Sequence, residues 1–269
     1  MNHLLKLLDL SKEEILGILH LADQLKYELG HGIRHPLLAG KTLGMIFQKA
    51  STRTRVSFET GIYQLGGYGL FLSSHDLQIG RGEPVEDTAR VLSRYLDGIM
   101  IRTFDQEEVE TLVRVGSIPV INGLTDFCHP CQVLADLMTV REHKGILEGL
   151  KMAYIGDGNN MANSLIVGGL KTGMRVAVAC PDGYRPAKEV LDFAADFGDA
   201  FTLTGDCLEA AAGADVIFTD VWASMGQEGE AEKRRAAFKG YQVNGALLAA
   251  ANPGCMVQHC LPAHRGEEI

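Results

Sequence analysis

The chain has no run of about 18 or more apolar residues, the length a membrane-spanning helix needs, so the sequence predicts no such span. Its first residues, Met1-Asn2-His3-Leu4-Leu5-Lys6, lack the basic start and long apolar stretch of an export leader, and a cytoplasmic setting is expected. Positive charge is not in excess: 25 Lys and Arg stand against 34 Asp and Glu, a net charge of -9. A surface of that sign repels nucleic acid and anionic membranes. An anionic substrate must then be held by a local positive pocket rather than by the overall field. Six cysteines spread over 269 residues make no dense framework, which points to reduced thiols. Internal repeats and low-complexity tracts are absent.

What is present is the material of two globular α/β units, since 269 residues with 46% hydrophobic content suffice for two cores. Ser11-Lys12-Glu13-Glu14 is a capping-box pattern, and Ile15, Leu16, Leu19, Ala22 and Leu25 follow at helical spacing. Strands are expected at 42–47, 98–101 and 118–121, with helices at 52–65, 106–115 and 130–143. Lys144 to Gly149 reads as a hinge, giving domains 1–144 and 145–269. A second series is expected after it. Its strands lie at 152–155, 175–179, 201–203, 216–219 and 256–259, and its helices at 160–171, 186–196 and 208–212. Such alternation predicts two doubly wound α/β domains, each a parallel sheet flanked by helices. In those sheets ligands sit beyond the carboxyl ends of the strands, and the chemically suggestive residues fall there.

Ser51-Thr52-Arg53-Thr54-Arg55 follows a strand and opens a helix, where free N–H groups and partial positive charge suit a phosphate. Plain capping explains Ser51 but not the other four. Arg53 and Arg55 cannot face the same way, so Arg53 is assigned to ligand and Arg55 to structure. Arg102 ends a strand. His129-Pro130-Cys131-Gln132 enters a helix; His129 can polarise a carbonyl and Gln132 offers both a donor and an acceptor, though a histidine there is commonly a cap or core residue. Cys128 and Cys131 form C-x-x-C, but no second pair has a zinc spacing. Gly156-Asp157-Gly158-Asn159-Asn160 begins like a dinucleotide loop with Met161 where the third glycine belongs; Asn159 and Asn160 suit a carboxylate or amine instead. Asp220, followed by Ser224-Met225-Gly226, can pair with an ammonium or cap a helix. Cys260, in His259-Cys260-Leu261-Pro262, is either a cleft thiol or a buried structural one.

Taken in order, these segments resemble the aspartate/ornithine carbamoyltransferase family over essentially the whole chain, and the Asp220 and His259–Pro262 segments are similar to its ornithine branch. The resemblance implies that Ser51, Thr52, Arg53, Thr54 and Arg102 hold the phosphate of carbamoyl phosphate. His129, Arg102 and Thr54 would polarise the carbamoyl oxygen, while Gln132 and the Leu261 carbonyl grip its amide. Gln78 matches a loop that reaches a neighbouring subunit's site. Asn160, Asp220, Ser224 and Met225 would hold L-ornithine, with Cys260 beside the reacting amine. The family implies trimers, or multiples of them, and neither metal nor organic cofactor. It also implies a further helix bearing another phosphate-site arginine, whereas this sequence reaches Ile269 nine residues after Cys260. Competing readings are a weakened or non-enzymatic relative, a carbamoyltransferase acting on another amine such as putrescine, and a nicotinamide-dependent oxidoreductase using the Gly156 loop with Asp182. The last gives no role to Ser51–Arg55 or His129–Gln132.

Overall fold

The computed structural model describes residues 2–224, 226 and 228–269. It divides into two compact units, Met1–Cys131 and Gln132–Ile269.

In the first unit, α1 (Lys12–Gly30) starts at the expected capping box: Glu14 N–H donates to Ser11 Oγ at 3.1 Å, and Ser11 N–H donates to Glu14 Oε2 at 3.0 Å. There follow β1 (Thr42–Phe47), α2 (Thr52–Gln64), β2 (Tyr68–Ser73), α3 (Val85–Leu92), β3 (Gly98–Arg102), α4 (Gln106–Val115) and β4 (Val120–Leu124). The four strands are parallel, in the order β2-β1-β3-β4. Alternate residues of the central strands enter different layers. Ile46, Ile99 and Ile101 join one buried cluster, and Met45, Phe47 and Met100 the other. Burial on both faces is why β1 and β3 read as unbroken apolar runs. Each such side chain contributes about 1.5–3 kcal/mol by leaving water.

The helix α5 (Pro130–Lys144) spans the division between units, with proline at its first position. The second unit continues with β5 (Lys151–Ile155), α6 (Asn160–Lys171), β6 (Arg175–Ala179), α7 (Lys188–Ala195), β7 (Phe201–Thr204), α8 (Cys207–Ala211), β8 (Val216–Thr219), α9 (Ala231–Ala237), α10 (Gly245–Ala250) and β9 (Met256–His259). Its sheet is parallel, in the order β7-β6-β5-β8-β9. Every residue of α6 from Met161 to Leu170 is buried, which explains its small and apolar composition.

Both units are α/β with parallel sheets, as the alternation predicted. Four elements were not anticipated: β2, α3, α9 and α10. In β2 a glycine interrupts the apolar pattern, and α3, Val-Glu-Asp-Thr-Ala-Arg-Val-Leu, is too short and polar to announce itself. The strand expected at 118–121 runs instead from Val120 to Leu124, because Pro119 has no N–H to give the ladder. Chain direction across the sheet reverses between β1 and β3 in the first unit, and between β5 and β8 in the second. Crevices for ligands open at such switch points, beyond the strands' carboxyl ends.

Candidate active site

The segment after β1 and the end of β3 flank the first switch point. Ser51 caps α2: its Oγ accepts from Thr54 N–H at 3.2 Å and donates to Thr54 Oγ1 at 3.1 Å. Arg102 Nη1 also reaches Thr54 Oγ1, at 3.4 Å, from a side chain 9% exposed. A helix N-terminus, two hydroxyls and a buried guanidinium thus share one place, the donor set a phosphate needs. Thr52 and Arg53 stand exposed in the first turn of α2. Arg55 is engaged elsewhere, paired with Glu59 at 3.0 Å and stacked 3.7 Å from the centre of Phe71. Lys49, nearly buried, is paired with Asp126 and lies over the Phe104 ring.

His129 immediately precedes α5, with its Nδ1 sealed from solvent. Burial first, and the Arg102 charge second, push the imidazole down from 6.5 to about 3. It therefore stays neutral near pH 7, suited to donate a hydrogen bond rather than carry charge. Cys128 and Cys131 are free thiols pushed up to about 12 by burial. Asn122 Nδ2 donates to Cys128 Sγ, and Cys131 Sγ donates to the Asn122 carbonyl. High thiol pKa values and local bonding suit packing rather than redox chemistry.

Around the second switch point the organising residue is Asp220, 6% exposed at the end of β8. Its Oδ1 accepts from Val221 N–H at 2.8 Å and from Cys260 Sγ at 3.0 Å, and its Oδ2 from Asn159 Nδ2 at 2.8 Å. Asn159 is the N-cap of α6, its Oδ1 taking the N–H groups of Met161 and Ala162. One amide thus fastens the helix start to the carboxylate. Asp220 begins no helix, so its capping alternative is not realised. The Cys260 thiol is pushed upward by burial and by the adjacent Asp220.

The Gly156 loop serves packing. A Cβ on Gly158 would lie 2.3 Å from Arg185 C and Pro186 N, so the neighbouring backbone packs directly against this glycine. Asp157 is spent on a buried pair with Arg234 Nη1 at 2.7 Å; the same nitrogen donates to the Trp222 carbonyl at 2.9 Å. That contact ties α9 to the loop after Asp220. Leu261 holds a left-handed φ of 62°, a strained conformation for leucine. Its N–H donates to His259 Nδ1 at 2.8 Å, and His259 Nε2 meets the fully buried Glu268 at 3.0 Å.

Comparison with known proteins gives this geometry a context. Residues 2–142 match the carbamoyl-P binding domain of aspartate/ornithine carbamoyltransferase, and residues 148–269 match its Asp/Orn binding domain. The chain belongs to the aspartate/ornithine carbamoyltransferase family. The ornithine carbamoyltransferase of Oceanobacillus iheyensis is 60% identical, the match covering 98% of this chain and 84% of that protein. The solved ornithine carbamoyltransferase of Pyrococcus furiosus is 54% identical with a TM-score of 0.95, covering 99% of this chain and 87% of the other. The anabolic enzyme of Campylobacter jejuni aligns at 43% identity and a TM-score of 0.94, covering 100% and 88%.

Of the residues the carbamoyltransferase resemblance points to, Ser51, Thr54 and Arg102 form one bonded group, and Asp220 with Cys260 another. Gln132 is bonded to Asp136, and Asn160 opens α6 beside the asparagine that touches Asp220. Gln78 lies exposed in a short 3₁₀ turn, Gln78–Arg81. Ser224 is half-buried, and Met225 lies outside the described residues. Sequence reasoning gave no structural role to Asn159, and none at all to Asp136, Arg234 or Glu268. A buried carboxyl or guanidinium carries no local signal of its partner; only Asn159, in the expected N-cap position, had one.

Proposed function

We propose that the chain transfers the carbamoyl group of carbamoyl phosphate to the δ-amine of L-ornithine, giving L-citrulline and phosphate. The observation that carries the ornithine reading is Asp220. This buried carboxylate is met by three neutral donors and by no cation among the described residues. An amino-acid ammonium is the complement it calls for. Relatives that match nearly the whole chain are named ornithine carbamoyltransferase, which supports the same acceptor.

Ser51, Thr52, Arg53 and Thr54 hold the phosphate together with Arg102. The neutral His129 and Arg102 donate to the carbamoyl oxygen as it gains charge; such donors are each worth about 2.7–4 kcal/mol in the transition state. Gln132 and the Leu261 carbonyl take the carbamoyl N–H groups. Asn160, Asp220, Ser224 and Met225 bind ornithine. A free alkylamine has a pKa of about 10.4, so roughly one molecule in a thousand is unprotonated at neutral pH. Asp220 and Cys260 orient that form. The amine nitrogen bonds to the carbamoyl carbon, a tetrahedral species forms, the C–O bond to phosphate breaks with its electron pair leaving on the phosphate, and the nitrogen's proton passes to that departing phosphate.

The functional division falls at 144/145, a reading supported by family matches that stop at 142 and resume at 148. The working form is a homotrimer to which Gln78 contributes across subunits, and arginine synthesis in the cytoplasm is its setting. The six free cysteines suit a reducing compartment. The test is citrulline formation from carbamoyl phosphate and ornithine, with putrescine and aspartate as parallel acceptors. Ornithine-dependent product is expected; preference for another amine, or no product with any acceptor, refutes the assignment.

A further inference from the structure

Asp136 lies on α5 one turn after Gln132 and is 7% exposed. Its Oδ1 accepts a hydrogen bond from Gln132 Nε2 at 2.9 Å, and its main-chain carbonyl accepts one from Gln258 Nε2 at 3.5 Å. Its Oδ2 is buried with no hydrogen-bond partner among the described residues. The titratable groups that face it, Asp220 and Cys260, bring no positive charge. Burial pushes this carboxyl up to about 7, with Asp220 adding to the rise and Gln132 opposing it. An apolar residue would fill this place at lower cost. What the carboxyl does provide is an acceptor aimed at one end of Gln132.

A glutamine amide keeps nearly the same shape when turned over, but donor and acceptor exchange places. With Nε2 committed to Asp136, Oε1 is the end left for a ligand. Oδ1 can accept that bond whether or not Asp136 carries a proton, because a carboxylic acid retains its carbonyl oxygen. We propose that Asp136 is a positioning residue: it locks the Gln132 amide with Oε1 toward the acyl group, so that the protein selects an acyl phosphate bearing –NH2 over one bearing –CH3. This inference rests on carbamoyl phosphate being the substrate. Acetyl phosphate has almost the same shape but lacks the two N–H donors. Against it, a fixed acceptor is desolvated and left without a partner, which is how a polar site rejects an isostere. An amide free to turn would lose that discrimination.

The experiment measures, in the citrulline assay, the KM for carbamoyl phosphate and the inhibition constant of acetyl phosphate for the wild type, Asp136→Asn and Asp136→Leu, with melting curves to check folding. Asn keeps an acceptor for Gln132 Nε2 and removes the charge; Leu removes the acceptor. The ratio of the acetyl phosphate inhibition constant to the carbamoyl phosphate KM should fall about tenfold in Asp136→Leu. It should stay within about twofold of wild type in Asp136→Asn. An unchanged ratio in a folded Asp136→Leu overturns the inference. A fall in Asp136→Asn does so as well, whether or not the leucine variant folds, since charge would then be what matters. A wild type that forms no citrulline overturns the substrate reading beneath it, which separates the two failures.

Discussion

Lowering the pH from 7 to 5 tests whether the folded protein keeps His129 neutral. Burial, aided by Arg102, takes the imidazole from 6.5 to about 3, while the unfolded chain titrates at the ordinary value. Below 6.5 the unfolded chain binds a proton that the folded one refuses. The stability His129 contributes is therefore present above pH 6.5 and is lost as pH falls toward 3. At pH 5 the unfolded imidazole is protonated by about 30 to 1, which corresponds to roughly 2 kcal/mol; at pH 7 the same calculation gives well under about 1 kcal/mol. His129 as a whole residue is half-buried, which reduces the effect to roughly 1–2 kcal/mol. Asp136 runs the opposite way. Its carboxyl, raised from 3.8 to about 7 by burial, gives stability that is fully present below 3.8 and lost as pH rises through 7. The two groups mask each other in the wild-type curve, so the informative quantity is the difference between wild type and His129→Gln. Urea unfolding of both at pH 7 and pH 5 supplies it. The cost of the substitution should be smaller at pH 5 by roughly 1–2 kcal/mol. An equal cost at both pH values would refute a neutral, buried His129.

Arg234→Met leaves Asp157 buried without its partner, where the pair stands at 2.7 Å with side chains 9% and 8% exposed. A loss of about 3–5 kcal/mol in urea unfolding is expected, and much of it should return when Asp157→Leu is added; a loss under about 1 kcal/mol contradicts the pairing. The Cys260 thiol, held up by burial and by Asp220, should react with a disulfide reagent at pH 8 more slowly than an unfolded cysteine. Asp220→Asn should speed that reaction, as followed by residue-resolved mass spectrometry. An unaltered rate would mean that the carboxylate does not govern the thiol.

Much of the architecture was legible because the information is local. An apolar run of five residues followed by a capped helix specifies a β–α step, and β1, α4, α6, β6, β8 and β9 lie where that rule put them. The same locality marks Ser51, Arg102, Asp220 and Cys260, each at a strand end or in the segment that follows one. Elements such as α3, α9 and α10 have weaker patterns and form largely because neighbours cover one face.

From sequence alone came the two-sheet α/β plan, the family and the chemical character of each cluster, since all three depend on residue order and spacing. The tertiary structure decided which groups touch. It gave Asn159 a contact with Asp220, used Asp157 in a buried pair with Arg234, and bonded one oxygen of the buried Asp136 carboxyl to Gln132. Those contacts join residues up to 77 positions apart, and burial, not composition, shifts the pKa of His129 and Asp136 in opposite directions. Desolvation and distance are properties of the packed chain, and spacing along the sequence carries neither.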